Sequence, residues 1–209
     1  MAIKNIILDL GGVLLPINYN APVIEFEKLG IGDFKLLFSQ AKQSTLFDDF
    51  EMGKIDANDF RNWINEISKL KLSDSEINNA WNSILLDFPA ERKIVLEKLS
   101  KKYKLFLLSN TNEIHISSFE KSIQNKFGYN FFNDVFAKVY YSSRVGMRKP
   151  DKAIFDFVLN ENKLNPSETV FIDDSIQHVH GANKSGIQAH WLDTTITTTE
   201  VLLENLKLI

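Results

Sequence analysis

Three short apolar runs in this chain stop at side chains able to do chemistry, and one lysine stands beside a proline between the last two. Ile6-Ile7-Leu8 stops at Asp9, followed by Gly11-Gly12; Lys104 to Leu108 stops at Ser109-Asn110-Thr111; Thr169 to Ile172 stops at Asp173-Asp174-Ser175. Lys149 precedes Pro150. A lone acid before a glycine turn either caps that turn or faces a ligand that the glycines let the backbone approach. Adjacent acids are more demanding, because like charges at a buried strand end raise each other's pKa unless a cation offsets them. Asp9, Asp173 and Asp174 together make an oxygen-only set suited to Mg²⁺. Taken singly, a Ser-Asn-Thr run is commonly turn or N-cap chemistry, and a lysine before a proline is commonly solvated. The combination is the specific signal.

Bringing these groups together requires a parallel sheet, in which strand carboxyl ends share one edge and ligands bind outside it. The later part of the chain alternates accordingly. Helices are expected over 90–102, 113–125, 151–162 and 176–185, the last closed by Gly186. Strands are expected over 104–108, 137–141, 169–172 and 187–192, with a loop, SSRVGMRKPD, before Pro150 at the first turn of the third helix. A final helix has Thr197 and Glu200 in capping-box spacing. This is an α/β chain with a parallel sheet covered by helices on both faces.

Residues 17–88 read differently, as helices alone. Apolar positions recur at three and four in Val23-Ile24-Phe26-Leu29, Phe34-Leu37-Phe38, Phe60-Trp63-Ile64-Ile67 and Ile77-Trp81-Ile84-Leu85. Asp56 with Asp59, and Ser73 with Glu76, have capping-box spacing. The expected organisation is a core of residues 1–16 and 89–209 interrupted by a helical insert, 17–88. Within the insert, Phe47, Asp48, Glu51 and Lys54 lie in a turn-rich stretch that faces either the site or solvent. His178 and His180, two apart, point in different directions on a helix and cannot share a metal; solvated or packed histidines are expected. The tryptophans and most phenylalanines are expected as packing.

Composition excludes several classes. The 209 residues are 44% hydrophobic and 24% charged, as in an ordinary globular protein. A net charge of -3 without a basic block argues against nucleic-acid or anionic-membrane surfaces. No cysteine is present, so disulfides and thiolate chemistry are excluded. The apolar run after Lys4 is too short for a signal-peptide core, and no run approaches the ~20 residues of a membrane span. A soluble cytoplasmic protein is expected, with its oligomeric state open.

These motifs, in this order, resemble the haloacid dehalogenase superfamily, most of whose members are phosphatases. Asp9 in DLGGV is similar to the nucleophile motif, Ser109 in LLSNT to the second, Lys149 in RKPD to the third, and Asp173-Asp174 in FIDDS to the metal motif. The helical insert stands where the superfamily places a helical cap domain. The resemblance implies a doubly wound, mostly parallel Rossmann-like sheet. It also implies Mg²⁺-dependent hydrolysis of a small phosphorylated metabolite, for instance a sugar 1-phosphate, through an aspartyl-phosphate. Asp9 would be nucleophile and metal ligand. Gly11, through its carbonyl, and Asp174 would complete the metal set, with Asp173 nearby as ligand or orienting partner. Ser109, Asn110 and Lys149 would hold the phosphate. The usual phosphatase pattern has a second acid two residues after the nucleophile, as proton donor to the leaving group; here that position is Gly11. Two alternatives follow: a 2-haloacid dehalogenase, which the acid pair opposes, and a non-catalytic phosphate- or partner-binding protein, which retention of Asp9 opposes.

Overall fold

The computed structural model describes residues 2–32, 34, 45–128 and 131–209. Five strands, β1 (Asn5–Leu8), β2 (Lys104–Ser109), β3 (Lys138–Tyr141), β4 (Thr169–Asp173) and β5 (Gln188–Trp191), form one parallel sheet in the order β3-β2-β1-β4-β5. Ile6 pairs with Leu105 on one side and Val170 on the other, so β1 is central and in register with both neighbours.

Strand residues alternate between two apolar layers, as the pleat requires. Ile6, Leu8, Leu105, Leu107, Val170 and Ile172 pack on one face. Their covering helices are α5 (Ala90–Ser100), α6 (Glu113–Phe127) and α11 (Thr199–Asn205), which contribute Leu96, Ile116 and Leu203. Ile7, Phe106, Leu108 and Phe171 pack on the other face, under α9 (Lys152–Asn162) and α10 (Ile176–Asn183). Burial on both sides is what a near-continuous apolar run in a parallel strand predicts.

Between β1 and β2 lie α1 (Asn20–Lys28), α2 (Thr45–Glu51), α3 (Ala57–Ser68) and α4 (Asp74–Asn82), with an apolar cluster of their own that includes Phe26, Phe34, Phe47, Phe50, Phe60 and Trp81. Both expected capping boxes form: Asp56 accepts from the N–H groups of Asn58 and Asp59, and Ser73 from that of Glu76. Of the expected Phe34-Leu37-Phe38 face, the last two lie outside the described residues. The chain leaves the sheet at Pro16 and returns at Leu86 along paired segments. The Asn18 N–H donates to the Ile84 carbonyl at 2.8 Å, and the Leu86 N–H to that of Pro16 at 3.1 Å.

Three local expectations are corrected. The last helix is capped by Thr198, not Thr197, because Glu200 pairs with Arg92 instead of returning to the cap. The stretch after β3 contains a single turn, α8 (Ser142–Val145), whose Ser142 hydroxyl closes on the main chain of Thr111. Pro150 stands before the N-cap Asp151, because the chain turns Lys149 inward before α9 begins. A further short helix, α7 (Phe131–Val135), precedes β3.

The loop after α2 meets α8 closely. Gly53 has φ +67, and a Cβ there would lie 2.1 Å from the Ser143 carbonyl oxygen. Gly53→Ala should therefore destabilise the protein by about 1–3 kcal/mol from backbone strain, with the displaced contact added. An unchanged midpoint in chemical denaturation would show that this approach does not matter to the fold.

Candidate active site

The site begins with the turn after β1. The N–H groups of Leu14 and Leu15 both reach the Leu10 carbonyl at 2.8 Å, and that of Gly12 reaches Leu15 at 2.9 Å. This tight turn leaves Asp9 at the edge of the sheet, 7% exposed. Ser109, 3% exposed, ends β2, and Asp173, fully buried, ends β4. The parallel register sets these three side by side.

Lys149 joins them. Its side chain is fully buried, and its ammonium lies 2.7 Å from Asp9 Oδ1, 2.6 Å from Asp173 Oδ2 and 2.9 Å from the Leu108 carbonyl. A lysine has three hydrogens, so all are placed. Burial pushes the ammonium pKa down, and Asp173 and Asp9 more than reverse this, so Lys149 stays charged. Asn110 fixes the lysine's main chain: its amide nitrogen donates to the Lys149 carbonyl at 2.8 Å, and its oxygen accepts from the Lys149 N–H at 2.9 Å.

The three acids differ electrostatically. Burial raises the Asp173 carboxyl, but Lys149 and His178 outweigh it and hold the pKa at about 2. Burial lifts Asp9 to about 6, with Lys149 offsetting part of the rise and Asp173 adding to it. Asp174 rises to about 7, through burial and then the charges of Asp9 and Asp173.

One oxygen of each acid lies within 4.8 Å of the others. This all-carboxylate set suits a hard divalent cation. The backbone makes room for the Asp174 side chain: Gly12 has φ +75, and a Cβ there would sit 2.2 Å from Asp174 Oδ2. Asp173 is already engaged, by Lys149, by the Ser175 N–H at 2.8 Å and by His178 Nδ1 at 2.9 Å. That commitment suits it to orient the set more than to join it.

Asp9, Gly11, Ser109, Asn110 and Asp174 line a cleft of about 370 Å³. The insert helices contribute Phe47, Asp48, Glu51 and Trp81 to the same cleft. Lys54 does not line it; it pairs with Asp49 at the surface. Phe47 serves both cleft and insert core, whereas Phe50 serves the core.

Sequence reasoning missed three residues. His178, expected as solvated or packed, holds Asp173 from the first turn of α10; the signal is its place just inside a helix that begins at the acid pair. Trp191, expected as packing, is 46% exposed, and its indole N–H holds the Asp174 carbonyl at 2.9 Å. Arg148 donates to Asp48 at 2.6 Å and Glu51 at 2.8 Å, joining the Lys149 loop to α2. No local pattern marks the last two.

Comparison with known proteins places this geometry. Residues 65–192 match the haloacid dehalogenase-like hydrolase family. The chain is 33% identical over 189 residues to D-ribitol-5-phosphate phosphatase of Bacteroides thetaiotaomicron, covering 89% of this chain and 90% of that one. It is 26% identical over 202 residues to a sesquiterpene phosphatase of Aspergillus oryzae, covering 95% and 94%. Among solved structures, a B. thetaiotaomicron enzyme in complex with magnesium and inorganic phosphate superposes with a TM-score of 0.83 at 33% identity, over 96% of this chain and 99% of that one. A predicted hydrolase from Porphyromonas gingivalis gives 0.87 at 28% identity, over 99% of each chain.

The raised acids link pH to stability, and a cation bound to them would enter the same linkage. A carboxyl whose folded pKa lies above its unfolded value stabilises below the unfolded pKa, and that stability is lost as pH rises through the folded pKa. For Asp9 and Asp174 the window runs from about 4 to about 7. The lowered Asp173 acts only in the acid range below it. Between pH 5 and pH 8 these two acids should therefore lower the Tm of the metal-free protein, and Mg²⁺ should raise it more at pH 8 than at pH 5. Equal Mg²⁺ stabilisation at both values, in thermal unfolding with EDTA controls, would contradict proton–metal competition at these acids.

Proposed function

The chain belongs to the haloacid dehalogenase-like hydrolase family and is a hydrolase, and from that premise we propose an Mg²⁺-dependent phosphomonoesterase of small phosphorylated metabolites, sugar or polyol phosphates foremost. The observation that carries the reading is the placing of Asp9 at the cleft, held 2.7 Å from buried Lys149 and beside the Asp173-Asp174 pair. A carboxylate so fixed suits in-line attack on phosphorus, giving an aspartyl-phosphate that water then hydrolyses.

The chain's own residues divide the work. Lys149 holds the Asp9 carboxylate in place, and its charge also bears on the phosphate. Ser109 donates its hydroxyl to a phosphoryl oxygen. Asn110 positions Lys149 and borders the phosphate. Mg²⁺, held by Asp9, Asp174 and the Gly11 carbonyl with Asp173 orienting the set, would neutralise charge between nucleophile and phosphate. The same acids oppose a metal-free dehalogenase, since among the described residues no ion pair balances Asp174, and its charge would oppose a negative substrate.

We divide the chain into a core, 1–16 and 89–209, and a cap, 17–88. The paired linkers and the separate apolar cluster of the insert support that division. The cap shields the reaction from water and adds contacts to the leaving group.

Gly11 leaves the proton-donor position empty, and sterics do not require it. A Cβ at Gly11 would meet its nearest neighbour, Ile17, at 3.4 Å, an ordinary contact. A general acid is worth about 10²–10⁴-fold, roughly 3–5 kcal/mol of barrier. Its absence favours leaving groups that need little protonation, such as the anomeric hydroxyl of a sugar 1-phosphate.

Phosphate release from a panel of sugar and polyol phosphates should require Mg²⁺ and fall to background in Asp9→Asn; turnover that survives EDTA would reject the assignment. Gly11→Asp should raise kcat/KM for alkyl phosphates about 10-fold or more, and less for aryl or anomeric ones. An equal gain on both would refute the leaving-group argument.

A further inference from the structure

The cleft has a second charged region besides the one around Asp9. Asp48 and Glu51, on α2, line it together with Arg148, the residue before Lys149. Among the described residues, Arg148 is the one arginine or lysine side chain lining the cleft, against the four carboxylates of Asp9, Asp48, Glu51 and Asp174.

A substrate with a second anionic group, such as a bisphosphate or a phosphorylated sugar acid, needs a cation to receive it. Lys149 offers none, since its three hydrogens already reach Asp9, Asp173 and Leu108. The charge of Arg148 is already matched, its two terminal nitrogens donating to Asp48 and Glu51 at 2.6 and 2.8 Å. Releasing it would strand Glu51, whose side chain is 18% exposed. Burial raises the Glu51 pKa, and Arg148 offsets part of that rise. Breaking such a pair from one side leaves an uncompensated charge in a poorly solvated place. A second anion would thus meet two carboxylates and a single guanidinium already paired with both, and like charges brought together are a strong means of excluding a ligand.

We infer that the cleft takes phosphomonoesters whose phosphate is their only anionic group, and that Asp48 and Glu51, held by Arg148, turn away substrates carrying another. The inference rests on the phosphatase reading and deepens it. It covers hydroxylated and apolar leaving groups alike, because the selection is by charge. The aromatic wall formed by Phe47 and Trp81, stacked with centroids 5.3 Å apart, is compatible with either kind.

The test compares three matched substrates with Mg²⁺ present: a polyol monophosphate, the corresponding bisphosphate and the corresponding aldonic acid phosphate. For the wild-type protein, kcat/KM from phosphate release should be at least tenfold higher for the monophosphate than for either of the others. In Glu51→Gln and in Asp48→Asn that ratio should shrink by threefold or more; Asp48, the more exposed of the two acids, is the variant expected to fold if Glu51→Gln does not. A wild-type ratio within threefold, or a ratio unmoved in a folded variant, overturns the selection by charge while leaving the phosphatase reading intact. No release from any of the three substrates overturns the phosphatase reading and this inference with it.

Discussion

A single ammonium buried among carboxylates sets the terms for the rest of this molecule. Removing a charge from water is expensive, and it is tolerated only where geometry and hydrogen bonds replace the lost solvent. Lys149 meets that condition with three partners from three neighbouring strands: Asp9 after β1, the Leu108 carbonyl on β2 and Asp173 on β4. The lysine therefore ties together the carboxyl ends of the central sheet. Asn110 holds its backbone from just beyond β2, and α9 starts where its loop ends. Moving any one partner would leave a buried N–H of the ammonium without its acceptor.

The compensation is deliberately incomplete on the acid side. One lysine faces three carboxylates, and two of them, Asp9 and Asp174, have pKa values pushed up to about 6 and 7. The polypeptide by itself is over-acidic at this edge, and a bound divalent cation would relieve that excess. Such a cation would link metal binding to folding through electrostatics.

How much of this was legible in the sequence depends on whether a residue's partner is near in the chain. Strand ends at Asp9, Ser109 and Asp173 were legible because apolar runs stop there, and two capping boxes because both members lie within three residues. The outlying cases have distant partners. Glu200 answers Arg92 rather than its own cap, which moved the cap to Thr198. Trp191 looks like core and instead holds the Asp174 carbonyl, while Arg148 finds its acids about a hundred residues away on α2. Periodicity reports which face is apolar and says nothing about which polar group waits across a cleft. Substrate choice was the least legible property because it depends on such meetings.

The paired segments at Pro16–Asn18 and Ile84–Leu86 have a consequence for how such a chain can change over time. The sheet sees the helical segment between them as a loop whose ends already touch, so lengthening, shortening or replacing that loop alters closure entropy only slightly. Lys149 and His178, which hold the strand-end acids, and Asn110, which holds Lys149, all lie outside it. On the proposed division the molecule is a socket with an exchangeable fitting: rewriting one cassette would change the contacts above the cleft while the strand-end edge is inherited intact.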